Sequence, residues 1–449
     1  MKIIVSNLSS QIETDNPKLL NSLITLYTFS VPGAFYAKCR RWNGKKSFIS
    51  PTGKFKTGLL NRVLEDLKRI DLVPEIEYLD NDKNLDLSLD FNLPNKELRP
   101  YQKELISLAF KAKRALIKSP TGSGKTLLIA QLVNLFKDKN VLILFNKKQL
   151  LVQTYKFLTE EIGLKNVGLA FGEGFIQSNI MLCTVQSIEK IIGLPVEKPD
   201  LLLVDEVHEF SSGKFNSKVI SLFPSAFYRF GFTATIPTDK IKLYNIEGAF
   251  GPVISSVSTQ ELISEGYLAK PNIKMISIDY NTSSLNGLSY IDLYSKCITK
   301  NISRNNIIKF ICESITHPNP KIAIITQALE HATILVNLLP NAKKIEGLNS
   351  VEERNEVIDW FKSSYRPILI GTNILQTGID IKEINYFINA RGLKSDIATV
   401  QALGRSLRVD KDSEVFVYDF FDKDNGILEK HSRARIRAYK RENHKPEII

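Results

Sequence analysis

A chain of 449 residues with 43% apolar and 24% charged side chains holds enough apolar material for roughly two to four packed domains, which excludes a disordered polymer. No apolar run reaches the roughly 18 to 20 residues a membrane helix needs, and MKIIVSNLSS at the start is too short for a secretion signal, so a cytoplasmic chain is expected. The net charge of +12 favours a polyanionic partner, while four scattered cysteines (Cys39, Cys183, Cys297, Cys312) and histidines at no ligand spacing argue against zinc or a disulfide framework.

Between Asp15 and Glu65 there is no acidic residue, yet Lys18, Lys38, Arg40, Arg41, Lys45, Lys46, Lys54, Lys56 and Arg62 all fall there among Phe35, Tyr36, Trp42, Phe48 and Phe55. Alternation from Tyr36 to Trp42 and the NGKK turn at Asn43 to Lys46 predict a β-hairpin, with a helix following from Leu59 to Ile70. This is a small α+β module with a basic face, suited to gripping a nucleic-acid backbone, with Lys38, Arg40, Arg41 and Trp42 as candidate contacts. Polar residues from Asp80 and the break at Leu93-Pro94-Asn95 predict a linker over 80–95.

From Glu97 onward, short apolar strands (Ala115–Ile117, Val141–Phe145, Ile180–Thr184, Leu201–Val204, Tyr228–Thr233) alternate with helical patterns, as in a parallel sheet covered by helices. Between the first strand and the next helix stands SPTGSGKT, Ser119 to Thr126. Glycine-rich backbone at a helix N-terminus lets amides converge on a polyphosphate, with Lys125 as a point charge and the Thr126 hydroxyl on magnesium. Ser119 replaces the first glycine of the general pattern; Pro120, Thr121, Gly122, Ser123 and Gly124 complete the cradle.

VDEVH follows at Val204 to His208, after an apolar strand of the kind buried on both faces. Asp205 and Glu206 then emerge at a strand C-terminus, where open α/β sheets place ligands, and are expected to hold magnesium and to polarise the attacking water respectively. Nucleoside triphosphate hydrolysis is the chemistry these residues predict.

A second alternation begins near Lys270, with strands at Ile322–Thr326, Ile368–Gly371, Tyr386–Asn389 and Val415–Phe420 and no second phosphate loop. Residues 371 to 380 (GTNILQTGID) and 401 to 408 (QALGRSLR) put polar groups at strand ends, where Arg405 and Arg408 would meet γ-phosphate charge as it develops. The tail places Arg433, Arg437 and Arg441 on one helical face, either as a nucleic-acid contact or as the outside of a helix packed through Ile436 and Tyr439.

In this order, Leu98-Arg-Pro-Tyr-Gln102, SPTGSGKT, Thr184-Val-Gln-Ser187, DEVH, Thr233-Ala-Thr235 and the 371–380 and 401–408 clusters resemble superfamily 2 helicases and translocases. The resemblance implies an α/β fold of two RecA-like parallel-sheet domains (95–240 and 265–449) with an N-terminal accessory domain (1–90). It also implies ATP and Mg2+ between the two, with Arg99 and Gln102 at the adenine and Thr126 with Asp205 on the metal. Gln401, Arg405 and Arg408 would complete the site, Gly378 and Asp380 would lie near the ribose or domain contact, and His208, Thr233 and Thr235 would couple hydrolysis to movement. Thr184, Gln186, Ser187, Thr372 and Asn373 would face the strand.

The accessory stretch, Tyr36 to Gly44 with Gly53 to Leu60, is similar to that of phage UvsW-type recombination helicases. That implies branched or forked DNA as partner, branch migration as activity and 3′ to 5′ polarity; a monomer is expected besides. The alternatives are an RNA remodeller, the motor of a restriction system, and a non-catalytic clamp; the last conflicts with the presence of Lys125, Thr126, Asp205, Glu206, Arg405 and Arg408 together.

Overall fold

A computed structural model describes residues 1–32, 43–79, 88–211, 221–280, 285, 287–346, 349–372, 384–394, 414–423 and 425–449. The chain forms two compact units, Met1–Ser119 with Gly124–Ser256 and Pro120–Ser123 with Val257–Ile449. Among the described residues, no helix is long and apolar enough to cross a membrane.

The first unit begins with β1 (Lys2–Val5) and β2 (Ser9–Glu13), antiparallel neighbours. Helix α1 (Pro17–Leu26) starts where Asn16 accepts from the Lys18 and Leu19 amides and Pro17 supplies a preset φ. A two-stranded ribbon, β3 (Thr28–Ser30) against β4 (Lys45–Ser47), follows. Thr28 and Ser30 sit opposite Ser47 and Lys45 there, and the strand expected over 36–42 lies outside the described residues. Next come β5 (Lys54–Lys56), α2 (Leu60–Lys68) and β6 (Glu75–Tyr78), giving a sheet ordered β5-β2-β1-β6. Ile3, Ile12, Leu23, Tyr27, Phe55, Val63 and Leu67 fill its core.

The linker expectation fails over its described end, 88–95. Leu93 is buried in the core of the next domain, the Gln131 and Asn134 amides donate to the carbonyls of Asp90 and Asn92, and Asn95 donates to Glu161. An apolar side chain flanked by satisfied carbonyls is docked chain, not a tether.

Helix α3 (Pro100–Ala112) leads into β7 (Arg114–Lys118), α4 (Lys125–Leu135), β8 (Val141–Phe145) and α5 (Lys148–Lys156). Then come β9 (Val167–Phe171), β10 (Gly174–Ile176), β11 (Ile180–Thr184), β12 (Leu201–Val204), β13 (Tyr228–Thr233), α6 (Lys240–Phe250) and β14 (Val253–Ile254). The sheet order is β10-β9-β11-β8-β12-β13-β7-β14, with β10 antiparallel to β9 and the other pairs parallel. Every residue of β8, β11, β12 and β13 is buried, as strands covered on both faces must be. At about 1.5–3 kcal/mol per buried large aliphatic, these strands hold the ends that carry polar residues in fixed positions.

The second unit repeats the plan. Its strands are β15 (Lys270–Ile278), β16 (Ile322–Ile325), β17 (Ala342–Ile345), β18 (Ile368–Gly371), β19 (Tyr386–Asn389), β20 (Glu414–Asp422) and β21 (Glu447–Ile448), ordered β17-β18-β16-β19-β20-β15-β21 and all parallel. Helices α7 (Ile302–Ser314), α8 (Leu329–Leu338), α9 (Val351–Ser363) and α10 (Gly426–Arg441) cover it. On α10, Arg433, Arg437 and Arg441 are exposed and Tyr439 is buried, but Ile436 is only half-buried. The inner face is led instead by Arg435, whose Nε donates to Asp419 and Nη2 to the Phe420 carbonyl, while Tyr439 OH donates to Asp419. A charged side chain survives there because its charge and donors are met.

Candidate nucleotide site

The phosphate loop leaves the end of β7, where the Ser119 amide donates to the Thr233 carbonyl and ties the loop's start to β13. Gly122 and Gly124 take φ of 86° and 80°, the left-handed region that a side chain resists. Gly124 also stands before α4 without any side-chain cap, and the Leu127 amide turns back to the Gly124 carbonyl, so the Lys125 and Thr126 amides are the ones open to a ligand. A Cβ on Gly124 would lie 2.5 Å from Gln102 Nε2. Gln102, 1% exposed, thus packs its carboxamide beside the loop while its Oε1 accepts from the Arg99 amide. Arg99 itself donates to Tyr101 OH.

Asp205 and Glu206 follow β12 as its strand position predicts. The Asp205 amide still donates to Leu144 of β8, and then Glu206 turns left-handed at φ 47°, ψ 47°. A non-glycine residue in that region stores strain, which surrounding structure has to hold. Lys125 Nζ sits 2.8 Å from Asp205 Oδ1 and also donates to Glu206 Oε1. Burial opposes the Lys125 charge, but the two carboxylates overcome it and raise its pKa. Burial likewise pushes Glu206 up, yet Lys125 and then His208 hold it below the usual carboxylate range. Asp205 goes the other way: its burial outweighs the attraction of Lys125, with Glu206 adding to the upward push.

His208 opens a second contact. Its Nδ1 lies 2.9 Å from Thr233 Oγ1, whose only hydrogen goes to the Thr235 carbonyl at 2.8 Å, so Nδ1 is the donor. With that hydrogen committed to Thr233, Glu206 Oε2 lies 3.3 Å from Nδ1 without a hydrogen bond. Glu206 Oε2 and Thr235 Oγ1 are both buried polar atoms lacking a hydrogen-bond partner. Such atoms beside a glycine-rich loop at a helix N-terminus suit a ligand rich in oxygen and bound water. Thr126 is half-buried, one residue beyond Lys125. Among the described residues, no three His, Cys, Asp or Glu cluster as a cage, but magnesium needs only a carboxylate and a hydroxyl when phosphates and water fill its other positions.

Of the residues expected at the strand, Thr184 donates to Ser187 at 3.0 Å, both buried, and Gln186 is exposed. Thr372, after β18, is half-buried. Lys38, Arg40, Arg41, Trp42, Asn373, Gly378, Asp380, Gln401, Arg405 and Arg408 lie outside the described residues. The sequence reading missed Glu209, which accepts from Asn146 and from Lys147 at 3.2 Å, bridging the end of β8 to the turn after DEVH. Its position on the exposed side of a short turn offers no periodic signal.

Residues 95–238 match the family model described as Type III restriction enzyme, res subunit, and residues 305–410 match Helicase conserved C-terminal domain. The chain is 23% identical over 336 residues to ATP-dependent DNA helicase uvsW of Enterobacteria phage T4, covering 70% of this chain and 66% of that protein. It is 26% identical over 409 residues to DNA 3′-5′ translocase XPB2 of Sulfurisphaera tokodaii, covering 80% of this chain and 89% of that one. The fold is like that of S. cerevisiae Dbp5 bound to RNA and ADP BeF3, at 15% identity and a TM-score of 0.53, over 78% of this chain and 94% of that chain. With both helicase domains present in this order, the chain belongs to the superfamily 2 helicases and resembles their phage UvsW-type members.

Proposed function

We propose that this helicase spends ATP to remodel branched DNA, moving four-way and forked junctions and stripping annealed strands in recombination, repair or replication. The observation that carries the reading is the Lys125 ammonium held between Asp205 and Glu206 under a glycine cradle, with one Glu206 oxygen left without a hydrogen bond. In this reading Lys125 moves from the carboxylates to the terminal phosphates, and Glu206, kept ionised, orients the attacking water. Asp205 and Thr126 hold magnesium, which when bound neutralises phosphate charge. Gly122 to Gly124 bind phosphates through their amides, and Arg99 with Gln102 serves the adenine end. Gln401, Arg405 and Arg408, with Gly378 and Asp380, complete the pocket from the second domain, as the family resemblance implies.

His208, Thr233 and Thr235 then transmit the state of Glu206 to the TAT segment. Thr184, Gln186, Ser187, Thr372 and Asn373 follow one strand, and Lys38, Arg40, Arg41 and Trp42 grip the duplex arm. The division 1–90, 95–240 and 265–449, a cytoplasmic monomer and 3′ to 5′ movement belong to the same proposal. The polarity draws support from the name of the XPB2 relative. DNA is favoured over RNA by the DEVH spelling at Asp205 to His208 and by the DNA enzymes uvsW and XPB2 among its relatives. ATPase stimulation by DNA and by RNA of equal length tests this: stronger stimulation by RNA would replace the DNA reading. The model name for residues 95–238 favours a second reading, a restriction motor, which ATP-dependent scission of plasmid by the chain would support.

A further inference from the structure

The N-terminal module meets the first motor domain at Asn7, which accepts from Arg114 and donates to the Pro224 carbonyl, and along helix α6. Tyr244 packs against Tyr27, Phe29 and Phe48 with ring centroids 5.7, 5.1 and 5.4 Å apart. Arg62 lies over the Tyr244 ring at 4.7 Å and makes a two-pronged pair with Glu247 at 2.9 and 2.6 Å. Gly58 allows this approach, since a Cβ there would stand 2.0 Å from the Glu247 carbonyl. Aromatic packing and a bidentate ion pair resist sliding, so displacement of the module is passed to α6.

Within this joint, Asn245 differs from its neighbours in reaching both ways. It is 5% exposed, its Oδ1 accepts from Lys46 Nζ at 2.6 Å, and its Nδ2 donates to the Ser211 carbonyl at 3.0 Å. The partners fix the amide's orientation: an ammonium only donates and a carbonyl only accepts. Lys46 belongs to β4 of the basic ribbon. Ser211 ends the turn that carries Glu206 and His208, its amide donating to the His208 carbonyl and the Glu209 amide to that of Glu206. Two hydrogen bonds therefore separate the ribbon from the backbone that positions the DEVH side chains.

We propose that Asn245 is a positioning residue that links the basic N-terminal ribbon to the DEVH turn, so that nucleic acid held by the module raises the rate of ATP hydrolysis. This rests on the proposed function above. Asn245→Asp separates the two bonds: a carboxylate still accepts from Lys46 but cannot donate to Ser211. Tyr244→Leu loosens the same joint without touching either bond.

The test measures ATP turnover with and without forked DNA, together with melting temperature, for the wild type and both variants. Asn245→Asp is expected to keep its basal rate and its KM for ATP while the DNA-stimulated increment in kcat falls about fivefold or more. Tyr244→Leu is expected to melt lower than Asn245→Asp and yet keep more of the increment. Wild-type stimulation in Asn245→Asp, or loss that tracks melting temperature across both variants, overturns the link and leaves the DNA reading standing. A wild type that no DNA stimulates overturns both.

Discussion

His208 donates through Nδ1 to Thr233 Oγ1 at 2.9 Å, so the segment that holds Glu206 and the strand that precedes the TAT turn share one hydrogen bond. The Thr233 hydroxyl is thereby saturated: it donates to the Thr235 carbonyl and accepts from the Thr235 amide and from His208. His208→Ala removes that donor and a lesser influence on Glu206, while Lys125, the stronger of the two groups that hold Glu206 ionised, and Asp205 stay in place. Hydrolysis is expected to persist while strand displacement per ATP falls roughly tenfold, in the range of ordinary site-to-site coupling. Parallel ATPase and displacement assays check it; equal losses in both would mean that His208 serves the chemistry itself.

Gly124→Ala should cost nucleotide binding more than folding. The new methyl meets Gln102 Nε2 at 2.5 Å and forces a left-handed alanine, at about 1–2 kcal/mol of backbone strain alone. Titration with a fluorescent ATP analogue should show affinity reduced by about tenfold or more, with the melting temperature less affected. Unaltered affinity would remove Gly124 from the cradle.

Arg435 and Arg433 lie on one helix and should behave oppositely. Arg435→Ala leaves the buried Asp419 without its cation, a change that costs about 3–5 kcal/mol. Arg433, exposed and paired with Glu429 one turn away, should matter by less than about 1 kcal/mol when replaced by alanine. Urea unfolding of both variants tests this contrast, and equal midpoints would refute it.

His331 supplies a pH dependence. Fully buried, it is pushed down to about 3, by desolvation first and the Arg304 charge second. A group that binds protons better in the unfolded chain, at 6.5, costs stability as pH falls below that value and stops doing so near the folded value. Over pH 6 to 4 this side chain alone should remove up to about 1.4 kcal/mol per pH unit. His331→Gln, which can still donate to Asn305, should flatten that limb of a melting-temperature profile. An unaltered slope would show that other groups govern acid sensitivity.

The parts of the fold legible in the sequence are those whose physics is local. β8 and β12 are apolar throughout and β11 up to its final Thr184, as strands buried on both faces favour, whereas β13 also buries Arg229, whose guanidinium donates to the Ala226 and Phe223 carbonyls. The Lys125, Asp205 and Glu206 cluster was also legible, since a glycine-rich turn and a strand-end acid pair each declare themselves. By contrast, β15 contains Lys270, Pro271, Asn272 and Lys274 and owes its strand to pairing with β20 along nine residues. Arg435 and Arg304 carry no local sign of burial, because only the distant Asp419 and Asp422 make it tolerable. Asn245 was invisible for the same reason: its partners are 199 and 34 residues away.

Strand displacement on a synthetic four-way DNA junction, run with the wild type and Lys125→Ala while junction binding is measured alongside, tests the central claim most directly. The wild type should release product only with ATP, and the variant should bind the junction comparably yet release none. Product from the variant at the wild-type rate, or none from the wild type with ATP present, would contradict it.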